Sequence, residues 1–146
     1  MPNRAVSKVV ENREFLVCMP DDSVQTVAAH MRQHGEGAVL IVSAPGAAVM
    51  GICTERDLVF KVLAEGLNAG KTPIRQVMTA NPLTISPEKP FSHALHMMHE
   101  GGFRHMPVVD AAGKPLGIVS ARDALGLEAV SFAHEMAHRE LLSEIL

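Results

Sequence analysis

The sequence predicts a mixed α/β (α+β) protein made of two copies of one β-α-β-β-α unit, packed as a pseudo-twofold pair and followed by a C-terminal helix. Three observations support this. Two stretches of the chain align with each other, apolar residues in each switch between helical and strand spacing, and 47% of the 146 residues are hydrophobic, enough for a core. We place the repeats at residues 1–67 and 68–128, and the helix at 129–146.

The repeat is defined by residues that match in type and order. Before the predicted hairpin turn the matches are Pro20 with Pro87, Met31 with Met98, Gly35 with Gly102 and "AVLIV" with "HMPVV". After one extra residue in the first turn, the matches are Gly51-Ile52 with Gly117-Ile118, Thr54 with Ser120, and Arg56-Asp57 with Arg122-Asp123. One copy alone would leave a sheet face or helix stripe uncovered, so we expect the two copies to share a core.

Each copy has the same local signals in the same order. A short apolar strand, "FLVC" or "LTI", leads to a helix whose apolar residues lie on one face and which ends at glycines. The apolar residues are Val24, Val27, Ala28 and Met31 in the first copy and Phe91, Ala94, Leu95 and Met98 in the second. A β-hairpin follows, and a second helix begins at Thr54 or Ser120, both good N-caps.

A short helix is expected to lead into each copy. Thr72-Pro73 has the N-cap and first-turn chemistry for such a helix before the second copy, and Asn81-Pro82 ends it. Ser7 opens the equivalent segment of the first copy.

Composition limits the classes of partner. The formal charge is −3 without a basic run, so nucleic acid is not an expected partner. No window approaches the ~18 uninterrupted apolar residues of a membrane span, and the N-terminus has no apolar stretch, so we expect a cytoplasmic protein that does not enter a membrane. Cys18 and Cys53 lie in apolar strands and are interpreted as buried reduced thiols, with a bridge between neighbouring strands as the alternative.

The repeated pattern G-I-x-[T/S]-x-R-D follows a hairpin in both copies. A helix that begins with Thr or Ser presents free backbone N–H groups to an anion. An aspartate three residues later, Asp57 or Asp123, can accept hydrogen bonds from the vicinal hydroxyls of a ribose, with Arg56 and Arg122 beside it as phosphate partners. The alternative is that each aspartate only completes a capping box with the residue that precedes its helix.

These two patterns, with "RHMPVVD" in the second copy, resemble a tandem pair of cystathionine-β-synthase-type (CBS) domains, a Bateman module, over roughly residues 5–128. The resemblance implies a regulatory module that binds an adenine nucleotide (AMP, ADP or ATP) or a related adenosyl ligand. It also implies that adenine lies in an apolar cleft between the copies, with the ribose on aspartate and the phosphates at basic residues before the second strand.

The resemblance implies these site residues by position. Ser120, Arg122 and Asp123 would form one site, with Arg104 and His105 facing phosphate and Met106 and Pro107 following on the same strand. Thr54, Arg56 and Asp57 would form the other, with Thr84 and Ile85 lining its base pocket. Arg104 and His105 align with Gly37 and Ala38, so the two clefts are expected to differ in chemistry.

No pattern in the sequence indicates an activated nucleophile, a glycine-rich phosphate loop or a carboxylate cluster for metal. We therefore expect a sensor rather than an enzyme, without a required cofactor or metal, that signals to an effector protein in trans and forms a homodimer. A ligand-free interaction module is the second reading.

A third reading is a zinc hydrolase, because His134, Glu135 and His138 match H-E-x-x-H. A third zinc ligand is missing downstream. His134 and His138 instead fall on the apolar stripe of Leu127, Val130, Leu141 and Ile145, which favours a docking helix, with Phe132 and Met136 on its opposite side. His93, His96 and His99 are expected to face solvent, and His30 and His34 have metal-pair spacing without a third ligand.

Overall fold

The computed structural model describes residues 4–125 and 136–137. The helices are α1 (Val6–Val9), α2 (Val24–His34), α3 (Glu55–Leu58) and α4 (Phe91–Gly101), and the strands are β1 (Val17–Cys18), β2 (Ala38–Val42), β3 (Val49–Thr54), β4 (Thr79–Ala80), β5 (His105–Val109) and β6 (Pro115–Ser120). α3 continues as a π-helix (Val59–Leu63), a 3₁₀-helix spans Ile74–Gln76, and residues 122–125 are helical. The predicted fold class is confirmed; of the predicted C-terminal helix only Met136 and Ala137, both helical, lie among the described residues.

The strands form two sheets. The first has the order β1-β2-β3-β4, with β1 parallel to β2 and the other pairs antiparallel, and the second is the β5-β6 hairpin. The predicted strand "LTI" is reduced to a parallel bridge between Ile85 and Val108, the position that β1 takes beside β2 in the first copy. Both hairpins carry a bulge at equivalent positions, after Ile41 and after Val108.

α2 and α4 confirm the predicted helical faces. The hydroxyl of Ser23 caps α2 by accepting a hydrogen bond from the N–H of Thr26 at 3.1 Å. Gly35 and Gly102 end the two helices in the left-handed region, with φ of 65° and 72°, which glycine adopts without steric cost. The buried residues are Val24, Val27 and Met31 in α2 and Phe91, Ala94 and Met98 in α4, while Ala28 and Leu95 are partly buried.

β2 is buried on both faces because it lies between the two repeats. Val39 and Ile41 face the first repeat's own core. Ala38 and Leu40, on the opposite face, pack with Ile52 of β3 and are covered by Ile118 of β6. This second cluster joins the repeats and explains why all five residues of "AVLIV" are apolar.

The lead-in segments are exchanged between the repeats. The N–H of Val6 donates to the carbonyl oxygen of Lys89 at 2.8 Å, and the N–H of Ile74 donates to that of Asp22 at 2.8 Å. The residues that cross are Val6, Val9 and Val10, which pack in the core of the second repeat, and Ile74 and Val77, which pack in the core of the first. The boundary between the two repeats in the sequence therefore differs from the boundary between the two hydrophobic cores.

The cysteines and the three histidines of α4 lie as expected. Cys18 and Cys53 are free and buried in the first core. His93, His96 and His99 are exposed on α4, where His96 Nε2 lies 3.2 Å from a carboxylate oxygen of Glu100.

Candidate functional site

The first T-x-x-D turn forms a complete capping box at the start of α3. The hydroxyl of Thr54 accepts a hydrogen bond from the N–H of Asp57 at 3.3 Å, and Oδ2 of Asp57 accepts one from the N–H of Thr54 at 3.0 Å. The capping box that the sequence predicts as the alternative to a ribose site is therefore present at this turn.

The remaining carboxylate oxygen of Asp57 is also occupied within the fold. Lys61 Nζ lies 2.9 Å from Oδ1 of Asp57 and donates to the carbonyl oxygen of Val77 at 3.2 Å. Lys61 therefore ties the start of α3 to the exchanged lead-in segment. Arg56 points elsewhere, with its guanidinium carbon 5.1 Å from the centre of the Phe60 ring, a cation–π contact.

The second turn, at Asp123, differs because its carboxylate lies at a cleft. Oδ2 of Asp123 accepts a hydrogen bond from the N–H of Ser120 at 2.8 Å, and Oδ1 is paired with Arg13 Nη1 at 2.8 Å. Arg13 belongs to the segment that enters β1, and its side chain is 43% exposed. The guanidinium of Arg13 is thus at the surface while the side chain of Asp123 is 13% exposed, and a ligand can compete with the exposed partner.

The cleft has a volume of about 810 Å³ and lies between the repeats. One wall comes from residues 13–15, 35–38 and Glu55 of the chain's first half, and the other from residues 104–105, 118, 120–123 and 125. This volume lies within the range of small-molecule sites, roughly 300–1,000 Å³.

Charges of both signs line the cleft. Three arginines, Arg13, Arg104 and Arg122, stand among four carboxylates, those of Glu14, Glu36, Glu55 and Asp123. Burial lowers the pKa of His105, against the opposing effect of Glu55, Asp123 and Glu36, and so favours the neutral imidazole. A neutral imidazole here can accept a hydrogen bond as well as donate one.

The apolar part of the cleft is formed by Phe15, Ile118 and Leu125. Phe15 and Ile118 also pack against Leu40 and Ile52 in the cluster that joins the repeats. A flat heterocycle in this part of the cleft would therefore contact both repeats at once.

The family model for the CBS domain matches this chain twice, over residues 6–64 and 74–129. The chain belongs to the CBS domain family. The two matches correspond to the two repeats, so the molecule is a tandem CBS pair, as the T/S-x-R-D turns suggested.

Relatives and solved structures agree with this assignment. The chain is 35% identical over 119 residues to MK0525 of Methanopyrus kandleri, an alignment that covers 82% of this chain and 60% of that protein. The CBS domain pair of protein MJ0100, solved in complex with 5′-methylthioadenosine and S-adenosyl-L-methionine, superposes with a TM-score of 0.79 at 25% identity, over 89% of this chain and 99% of that one. The CBS domain protein PAE2072 of Pyrobaculum aerophilum, complexed with AMP, has a TM-score of 0.75 at 22% identity, over 87% and 98% of the chains, and shows the shared fold.

Five of the residues that the resemblance implied come together in the cleft: Arg104, His105, Ser120, Arg122 and Asp123. The others lie elsewhere in the CBS pair. Thr54 and Asp57 form the capping box, Arg56 covers Phe60 and Thr84 is exposed. Ile85 and Met106 belong to the core of the second repeat, and Pro107 is fully buried on the opposite face of β5.

Sequence reasoning missed the residues that come from the first half of the chain. Arg13, Glu14 and Phe15 line the cleft, and Glu55 reaches it from the start of α3. A signal for the first three was present in the repeat itself. If Asp57 was expected beside the strand that enters the second copy, then symmetry places Asp123 beside the segment that enters the first copy.

The hydrolase reading receives no support from the described residues. His134, Glu135 and His138 lie outside them, and residues 4–125 with 136–137 contain no group of three or more His, Cys, Asp or Glu positioned to hold a metal ion. Within the same part of the chain, no helix is both long and apolar enough to cross a membrane.

Proposed function

We propose that this CBS pair is a regulatory module that binds an adenine nucleotide (AMP, ADP or ATP) or a related adenosyl ligand and signals to a partner protein in trans. The proposal does not include catalysis. The observation that supports it best is the position of Asp123 in a cleft between the repeats, with Arg104 and Arg122 beside it. The complex of the MJ0100 pair with two adenosyl compounds supports the same ligand class.

In the proposed complex the ribose hydroxyls hydrogen-bond to Asp123. Its Oδ2 keeps the N–H of Ser120, while Oδ1 exchanges the exposed Arg13 guanidinium for the hydroxyls. The adenine would lie against Phe15 and Ile118 and the 5′ group near Arg104 and Arg122. Because the walls belong to different repeats, the ligand would favour one relative arrangement of the two, and this is the signal that a partner would read.

We propose one ligand for each chain rather than two. Both carboxylate oxygens of Asp57 are bonded, to Thr54 and to Lys61, and Asp57 does not line the cleft that Asp123 lines. Where Arg104 and His105 stand in the second copy, the first has Gly37 and Ala38, which offer no charge to a phosphate. In this proposal the turn at Asp57 has a structural role only, whereas the equivalent turn at Asp123 binds the ligand.

The repeat provides a matched pair of variants for a test. We expect Asp123→Asn to weaken binding of AMP, measured by isothermal titration calorimetry, by roughly ten- to a hundredfold, because a charged acceptor contributes about 1.5–3 kcal/mol to a hydrogen bond. Asp57→Asn removes the same charge from the equivalent turn and should leave the dissociation constant unchanged. Wild-type stoichiometry should be one ligand per chain.

Two results would contradict this assignment. One is binding that persists unchanged in Asp123→Asn, and the other is an equal loss in Asp57→Asn. If neither nucleotides nor other adenosyl compounds raise the melting temperature of the wild type, the ligand-free interaction module is favoured, since a ligand at a hundred times its Kd adds about 2.7 kcal/mol to the free energy of unfolding.

We further propose that the module acts as a homodimer. Val59, Phe60 and Leu63 are large apolar residues on one short helical segment, and all three are exposed. Leu125, at the position equivalent to Val59 in the second repeat, is exposed as well. Clustered exposed apolar residues are typical of a protein interface.

A further inference from the structure

The charge of the cleft bears on which adenosyl ligand it accepts. Its lining has three arginines and four carboxylates, and burial favours the neutral form of His105, so the cleft as a whole has no positive excess. Sites that hold several phosphates concentrate positive charge or backbone N–H groups around them. Each phosphate added to an adenosine would here bring negative charge toward a set of carboxylates as well as toward arginines.

Among the carboxylates that act on His105, at the end where the 5′ group is expected, Glu55 has the largest effect. The N–H of Glu55 donates to the carbonyl oxygen of Gly37 at 3.1 Å, which fixes the residue at the start of α3. Oε1 lies 2.5 Å from the point that a Cβ on Gly37 would occupy, and Nε2 of His105 lies 3.5 Å from the same point. The carboxylate therefore fills the space that glycine leaves open, facing the strand start at which Arg104 and His105 stand.

The second copy has no carboxylate at the equivalent place. Ala121 N donates to the carbonyl oxygen of Arg104 at 3.0 Å, the same bond that Glu55 makes with Gly37. Glu55 and Ala121 are thus equivalent, and both line this one cleft. The negative charge comes from the first repeat and acts on a ligand whose ribose is held by the second.

We propose that Glu55 is a specificity-determining residue that disfavours polyphosphates, so that the cleft prefers adenosyl compounds with no more than one phosphate at the 5′ position. This class includes compounds with a neutral or cationic 5′ group. The inference rests on the proposed function and narrows its ligand. Specificity of this kind needs a repulsive element as well as attractive ones, and the carboxylate of Glu55, whose backbone is held at the start of α3, provides it.

The test measures the dissociation constants of AMP, 5′-methylthioadenosine and ATP by calorimetry in magnesium-free buffer. In the wild type we expect ATP to bind about tenfold more weakly than AMP or methylthioadenosine. Glu55→Gln keeps the size of the side chain and removes the charge, and should reduce that ratio at least about threefold. Glu65→Gln, the same change at an exposed glutamate outside the cleft, should leave the ratio as it is.

The possible results distinguish the role of Glu55 from the existence of the nucleotide site. An equal affinity for ATP and AMP in the wild type, or a ratio that Glu55→Gln does not change, overturns the role of Glu55 while the nucleotide site stands. A similar reduction by Glu65→Gln overturns it too, since the effect would then come from net charge. If none of the three compounds binds the wild type, the proposed function and this inference fall together.

Discussion

At the scale of single residues, the buried thiols give the molecule a pH dependence. Burial raises the pKa of Cys18 to about 12, with a contribution from Asp22, and it raises the pKa of Cys53 to about 12, with a contribution from Asp57. The ordinary value is 9.0, so between pH 9 and 12 the unfolded chain binds fewer protons than the native one. These thiols therefore stabilise the fold fully below pH 9 and lose that contribution as the pH rises toward 12.

We expect the free energy of unfolding, measured by urea denaturation under reducing conditions, to fall more steeply from pH 8.5 to pH 10.5 in the wild type than in a Cys18→Ala, Cys53→Ala double variant. The double variant is the control because lysines and other groups titrate in both proteins. Parallel pH profiles would contradict the prediction.

Single residues also show how far a sequence pattern can predict a binding site. Arg104, His105 and Asp123 reach the cleft as expected, because a turn and a strand start place their side chains at its edge. Met106, the next residue of the strand, does not, because alternate residues of a strand point to opposite faces and its face is the core face. Ile85, which was predicted for the site at Asp57, lies in the same core. Arg13 has no motif of its own; the symmetry of the repeat indicates only its segment, and its ion pair with Asp123 identifies the residue.

At the scale of elements, the repeat predicted both long helices, both hairpins and the caps at Thr54 and Gly35, because each depends on residues close in sequence. It did not predict which repeat each lead-in segment packs against. The two cores are equivalent, so either lead-in segment could pack on either core. The spacing of apolar residues in a lead-in segment is the same in both cases. The choice depends on the length and path of the connection, which local patterns do not encode.

The packing of the exchanged lead-in segments can be tested with a second matched pair of variants. A Cβ on Gly117 would lie 2.9 Å from Cβ of Val10, an atom attached directly to the backbone, so Gly117→Ala must shift the lead-in segment. A Cβ on the equivalent Gly51 would meet the thioether of Met78, which is flexible and can move aside, and would lie 3.2 Å from the carbonyl oxygen of Thr79, farther than the Val10 contact at Gly117. We expect Gly117→Ala to cost about 1–3 kcal/mol in urea denaturation and Gly51→Ala to cost less. The opposite order would show that the packing of Val10 on β6 does not constrain this strand.

At the scale of the whole molecule, three sets of contacts make the repeats one body. The lead-in segments cross in both directions, the cluster around Leu40 and Ile118 is shared, and the N–H of Val49 donates to the carbonyl oxygen of Gly113 at 2.9 Å. A ligand in the cleft would add a fourth connection at the edge of this shared surface. Its effect on a partner is therefore expected to be a small adjustment between repeats rather than a separation of them.

The exposed apolar residues of α3 and the π-helix that continues it predict the homodimer interface. Leu63 is 76% exposed and Phe60 is 54% exposed, with the Phe60 ring held under Arg56. We expect the wild type to have twice the mass of one chain by light scattering at micromolar concentration, because dimerisation would remove this apolar surface from water. Leu63→Glu should produce monomers, since a carboxylate buried in an apolar interface without a partner is costly. Leu116→Glu changes an exposed leucine on β6 and should leave the dimer intact, whereas a monomeric wild type or a dimeric Leu63→Glu variant would refute the assignment of this surface.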